Sequence, residues 1–178
     1  MFAETYPLPS GASSEKLKCK HSFQRGKRKR VPENGFWCIH CGAYVYTLAG
    51  VSGVQNRNHC PYCLWSQHVD HFQSGDRLSA CKAIMQPIGL TVKPARNKYA
   101  RSCAGELMVI HQCNHCGKLS INRIASDDLS EVVAAVFHTS LKLEQAIRQF
   151  LARAGIHPLL EDDESLVNLQ LYGRNYIG

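Results

Sequence analysis

The sequence has no long apolar run. Its longest is Val132–Phe137, and a membrane-spanning helix needs about 20 such residues, so no span is expected. Near Met1 there is no basic stretch followed by a long apolar one, so the start does not read as a secretory signal. Acidic side chains are scarce: 14 Asp+Glu against 21 Lys+Arg, a formal net charge of +7 over 178 residues. No His-x-Glu pair occurs, which removes the proton-shuttling element of zinc deaminases. No repeat is visible beyond recurring cysteine pairs. Cysteine and histidine, by contrast, are abundant, with nine of each.

The missing export signal governs how those cysteines are read. A cytoplasmic, reducing setting is expected, where disulfides rarely persist. An odd number also excludes complete pairing within one chain. Thiolates and imidazoles are preferred zinc ligands, so metal binding is the better account. The apolar fraction of 44% is ordinary for a globular protein and excludes wholesale disorder.

Charge is unevenly spread. Residues 1–35 carry a net +5, residues 36–139 a net +3, and residues 140–178 a net −1. The first segment is rich in Ser, Gly, Pro and Lys and lacks apolar periodicity, so a disordered basic arm is expected over 1–35. Its densest part holds Arg25, Lys27, Arg28, Lys29 and Arg30. Such an arm binds polyanions by releasing their condensed counterions; the plain alternative is a solvated tail.

Cys38-Ile-His-Cys41 and Cys60-Pro-Tyr-Cys63 stand 18 residues apart, the C-x2-C-x18-C-x2-C spacing of a four-cysteine zinc site. Two cysteines separated by two residues wrap one tight turn with both sulfurs toward one ion, and two such turns complete a tetrahedron. A redox dithiol explains one pair but not two. A third pair, Cys113-Asn-His-Cys116, needs two more ligands. Cys81 is the first candidate, and His68, His71 and His111 compete for the other place. Cys103 and the Cys19-Lys-His21 element have no second ligand at knuckle spacing or no ordered surroundings. Two zinc ions are therefore expected, and they would staple a segment short of long apolar elements.

Ala43–Leu48, Glu106–His111 and Lys118–Ile124 read as strands. The last two flank the third cysteine pair and predict a hairpin with that pair at its turn. Asp128 followed by Glu131 predicts a capping box. Apolar spacing then predicts one helix over 128–154, or two broken near His138–Ser140. The acidic run Glu161–Glu164 and a short aromatic tail follow.

The pentapeptide Arg57-Asn-His-Cys-Pro61 resembles the signature of the bacterial RNHCP-domain proteins. The likeness extends from Phe36-x-Cys38-x-x-Cys41-Gly42 through Ser66-x-His68-Val-Asp70, Gly75-Asp-Arg77, Cys81, Met85 and Pro87 to His111-x-Cys113-x-x-Cys116-Gly117 and Asn122-Arg123-x-Ala125-x-Asp127-Asp128. Cys38, Cys41, Cys60, Cys63, Cys81, Cys113, Cys116, His68 and His111 fall on the pattern; Cys19 and Cys103 do not. Ala83 stands where the family has glycine. The resemblance implies a small metal-binding domain and brings no activity with it.

Together these features predict an α+β fold: a small β-rich double zinc-ribbon-like domain over 36–127, a basic arm before it, and a helical extension over 128–178. The favoured reading is a non-enzymatic module that binds RNA, on a ribosome or transfer RNA, through Arg25, Lys27, Arg28, Lys29, Arg30, Arg57 and Arg123. Arg77 and Lys118 lie beside the knuckles, and Phe36, Trp37, Tyr44, Tyr46, Tyr62 and Trp65 are aromatic residues suited to stacking on unpaired bases. The alternative is a scaffold that docks a protein partner through the 128–154 helix. An enzyme acting on nucleic acid is the weakest reading: His68-Val-Asp-His71 has the look of a nuclease element, but the next asparagine, Asn97, comes too late. No small-molecule substrate is implied.

Overall fold

The structure is a computed structural model, and it describes residues 34–94 and 105–173. Arg25–Arg30, Cys19, His21 and Cys103 lie outside the described residues. No helix among the described residues is long and apolar enough to cross a membrane. The fold is α+β, as expected.

Two antiparallel sheets form the frame. A ribbon pairs β1 (Gly35–Trp37) with β2 (Tyr44–Tyr46), Phe36 opposite Val45. Gly35, expected within the arm, already belongs to this ribbon. A short helix, α1 (Ala49–Ser52), follows. The larger sheet has the order β3 (Ser66–Gln67), β4 (Ile84–Lys93), β5 (Glu106–Cys113), β6 (Leu119–Arg123). The predicted β5–β6 hairpin is present, with Ile110 opposite Ile121 and Cys113–Cys116 at its turn.

The ten-residue strand β4 is not among the expected elements. Pro87 and Gly89 break its pattern, and both have a structural reason. Strand β3 pairs only with Ile84 and Met85, so among the described residues no strand pairs with that side of β4 from Pro87 onward. Proline is tolerated there because it removes no ladder bond. The register shifts between Pro87 and Gly89, marking a bulge. A Cβ on Gly89 would lie 3.1 Å from Ser140 Cβ, so the missing side chain admits the end of the next helix.

The predicted 128–154 helix is two helices, α2 (Ser130–Ser140) and α3 (Gln145–Arg153). Arg148 donates to the carbonyls of Leu141 at 3.0 Å and Ser140 at 3.3 Å, which satisfies the free end of α2. A further helix, α4 (Glu164–Tyr172), stands where only an acidic run and a tail are expected. The acids are its entry: Asp163 accepts from the Leu160 amide, and Glu164 sits in the first turn, favoured by the helix dipole.

The main core joins Leu64, Leu90, Leu107 and Val109 with Val133 and Phe137 of α2, Leu159, and Val167 of α4. Residues on both sides of position 128 thus share one core. The apolar stripe of α2 is spent on β4. A second, smaller cluster holds Cys38, Val45 and Cys60 under the ribbon.

Candidate metal centres

The three cysteine pairs form the same turn. In each, the first cysteine's N–H bonds to a carbonyl five residues on: Cys38 to Ala43 at 2.8 Å, Cys60 to Trp65 at 3.0 Å, Cys113 to Lys118 at 2.9 Å. The residue after the second cysteine donates back to the first cysteine's carbonyl: Gly42 at 2.9 Å, Leu64 at 2.8 Å, Gly117 at 3.0 Å. That residue is left-handed in all three, with φ of 76°, 58° and 73°. Glycine adopts this conformation without strain. Leu64 does not, and a non-glycine residue there costs roughly 1–2 kcal/mol. Its fully buried side chain offsets that cost, since burying a leucine is worth about 1.5–3 kcal/mol.

The turns bring the donors into two groups of four: Cys38, Cys41, Cys60 and Cys63, and His68, Cys81, Cys113 and Cys116, with the ligand atoms of each group within 4.8 Å of one another. Zinc–sulfur bonds of about 2.3 Å place tetrahedral sulfurs roughly 3.8 Å apart. Cys38 and Cys63 sulfurs lie 3.6 Å apart, Cys41 and Cys60 3.6 Å, Cys81 and Cys113 3.7 Å, and His68 Nδ1 lies 3.3 Å from the Cys116 sulfur. Both groups fit zinc. Thiol hydrogen bonds from Cys60 and Cys63 push the Cys38 thiol far down, while contact with Cys38, then burial, pushes Cys60 and Cys63 up. Four sulfurs this close all carry negative charge only around a cation. Zinc bound in these groups would tie turns distant in sequence into one unit.

The structure decides between the competing histidines. His68 and Cys81 are brought together by backbone bonds, His68 N–H to Ala83 O at 2.8 Å and Lys82 N–H to His68 O at 3.2 Å. His111 is no ligand, because both its nitrogens are used. Nε2–H donates to Leu64 O at 2.6 Å, and Nδ1 accepts from Asn122 at 2.9 Å. Complete burial pushes its pKa down to about 3, so the ring is neutral. His71 is exposed and packs on Phe72. His115 lies outside the four donors, although its Nδ1 is 3.7 Å from the Cys81 sulfur.

Arg57 is a correction. It is expected to contact phosphate, but its side chain is 0% exposed and ion-paired to Asp127 and to Asp128, the latter at 2.7 Å. No RNA reaches it. The expected capping box is a second correction. Leu129 takes the N-cap position of α2 without a side-chain cap. Asp128 is occupied elsewhere, accepting from Arg57, from His59 Nε2 at 2.8 Å and from the Ala125 amide at 2.8 Å. Arg123 is exposed and pairs with Glu106 at 2.9 Å.

The pentapeptide therefore acts as a joint between the first centre and the start of α2. Arg57 and His59 grip Asp128, and Asn58 donates to Asp70 at 2.8 Å. Cys60 is a zinc donor, and the Pro61 carbonyl accepts from the Leu129 amide at 3.2 Å. Sequence reasoning missed this network. The pairing of a basic–polar signature with two adjacent acids is a signal only once the fold brings together residues about 70 positions apart.

No match to the curated proteins or to the solved structures is found. A family model, the RNHCP domain, matches residues 33–134. That span covers all eight donors, the pentapeptide and the two acids it grips. On that match, which takes in more than half of its length, the chain belongs to the RNHCP domain family.

Proposed function

We propose that the chain is a non-enzymatic zinc module that binds single-stranded RNA through its first centre and the basic arm before it. One observation carries the reading: the outer face of the β1–β2 ribbon is aromatic. Phe36 and Val45 face the zinc cluster. Trp37, Tyr44 and Tyr46 form an edge-to-face row on the other side, with ring centroids 5.1 Å and 5.0 Å apart. A Cβ on Gly35 would lie 2.3 Å from the Tyr44 hydroxyl, so glycine lets that ring lie across the backbone. Trp37 is 39% exposed and Tyr46 52%. The cations Arg25–Arg30 precede this ribbon directly in sequence. Aromatic faces stack on bases of any identity, and nearby cations take the phosphates. Both metal groups have four protein donors, which leaves no open position for a zinc-activated water. A protein scaffold docking through 128–154 needs a free apolar stripe, and Val133, Phe137 and Leu151 are buried.

The test is a salt titration of the zinc-loaded chain with single-stranded RNA. Affinity falls steeply with salt. Removing residues 1–30 lowers the logarithmic slope by about 0.7 for each phosphate that the arm neutralises. Trp37→Ala with Tyr46→Ala weakens binding at every salt concentration. A slope unchanged by the deletion and an affinity unchanged by the aromatic variants would sink the reading.

A further inference from the structure

We infer that the loop from Asp70 to Leu78, beside the second centre, holds one unpaired nucleotide of the bound strand. This rests on the RNA reading above and names a second place of contact, independent of the arm and the ribbon.

The loop is held in one shape from within. Asp76 accepts four backbone amides: His71 at 2.8 Å, Phe72 at 2.8 Å, Gln73 at 3.0 Å and Leu78 at 3.1 Å. Asp70 accepts from Gly75 at 2.9 Å, from Arg77 N–H at 3.1 Å and from Asn58 at 2.8 Å. Gly75 has φ +90°, and a Cβ there would meet Asn56 at 2.7 Å. The signature asparagine, Asn58, thus braces this loop as well as the joint.

This bracing presents Phe72, which is 84% exposed. Among the described residues its ring neighbour is His71, packed edge-on with centroids 4.0 Å apart. A lone exposed apolar residue is ordinary; this one stands at a cavity on an ordered loop. The cavity is about 210 Å³, lined in part by His71, Phe72, Met85, Lys118 and Ser120. Small-molecule sites run to about 300–1,000 Å³, so this one takes a single ring rather than a cofactor.

Charge selects the occupant. Lys118 Nζ donates to the His71 carbonyl, and Lys82 Nζ to the Arg77 carbonyl at 3.1 Å. Lys82, Lys118 and Arg77 are all exposed. Asp76 turns its oxygens to backbone amides, while Asp70 also accepts from Asn58 and pairs with Arg77 at 3.8 Å, which leaves Lys82 and Lys118 as the cations without a carboxylate partner in this loop. An aromatic ring at the mouth of a ring-sized cavity, with cations around it, matches a base and its phosphate. An apolar protein surface would need a contiguous apolar patch; the loop exposes Leu78 besides Phe72, and the residues flanking Phe72 are the polar His71, Gln73 and Ser74.

The experiment uses the zinc-loaded full chain and a labelled single-stranded oligouridylate, read by fluorescence anisotropy over a range of salt. Phe72→Ala is expected to weaken binding roughly 5- to 140-fold, and Phe72→Trp to restore it. Lys118→Gln is expected to lower the logarithmic salt slope by about 0.7. Metal content and amide exchange of the variants check that the fold is intact. If the parent binds RNA and Phe72→Ala binds equally well, this site is overturned while the RNA reading stands. If the parent binds no RNA at low salt, both fall. If Phe72→Ala loses a protein partner with RNA affinity unchanged, the loop belongs to that partner and the inference is overturned.

Discussion

The first centre takes all four sulfurs from two turns within residues 38–63, and the ribbon around it buries little more than Cys38, Val45 and Cys60. The second takes donors from three places, His68, Cys81 and the Cys113–Cys116 turn, and stands at one end of a four-stranded sheet. That sheet packs on α2 through Leu90, Leu107, Val109, Val133 and Phe137. The same knuckle therefore does different work in the two places. Zinc substitutes for a hydrophobic core in the ribbon, whereas in the sheet it finishes a structure that already has one.

Removing metal is the strongest way to break this comparison. Structural zinc contributes about 10–16 kcal/mol of apparent folding free energy in small domains. With a strong chelator, amides of residues 36–65 should lose their protection from hydrogen exchange. Those of Leu107–Ile110 should stay protected. Cys60→Ser should give a chain with one zinc and an intact sheet. Uniform loss of protection across both regions would show that the sheet depends on metal as much as the ribbon does.

The joint between the regions comes next in size. Arg57 and Asp128 have side chains with no exposure, and Arg57 also donates to His59 O at 3.0 Å. Breaking a buried ion pair from one side leaves an unpaired charge and costs about 3–5 kcal/mol. Arg57→Met should lower the denaturant midpoint accordingly. Arg57→Met with Asp128→Asn should recover part of that loss, because the stranded carboxylate is gone. A double variant whose loss is the sum of the two single losses would mean that the pair is not coupled.

Spacing made the donors legible, because each knuckle is local and three cysteine pairs repeat it. Burial was not legible in the same way. His68 and His111 both sit at ligand-like positions, and only packing shows that Leu64 O and Asn122 claim His111. Arg57 showed its charge in the sequence and hid its partners. Asp128 had the spacing of a cap, but the pentapeptide claimed its oxygens. Strand β4 was obscured by Pro87 and Gly89, whose reasons lie in a strand-free sheet edge and an approaching helix. With β4 and α4 hidden, the middle of the chain looks too poor in apolar elements to stand without metal. Half of it is not.

The smallest test uses the knuckles against each other. Gly42 and Gly117 have φ of 76° and 73°, and nothing lies within 4 Å of a Cβ added at either. An alanine meets no clash at these positions, so its cost is conformational alone, about 1–2 kcal/mol in each. Equal intrinsic costs then report on different surroundings. In Gly42→Ala the ribbon has only its small cluster to absorb the strain, so the loss should appear as weaker zinc affinity at the first centre, measured by competition with a chelator dye. In Gly117→Ala the hairpin is held by β5 and β6 whether or not its turn is strained, so the sheet should keep its protection and the midpoint of unfolding should move slightly. If both variants lose zinc affinity alike while the sheet stays fixed, the two centres are equally metal-dependent at the turn, and the difference between them lies only in the strands beyond it.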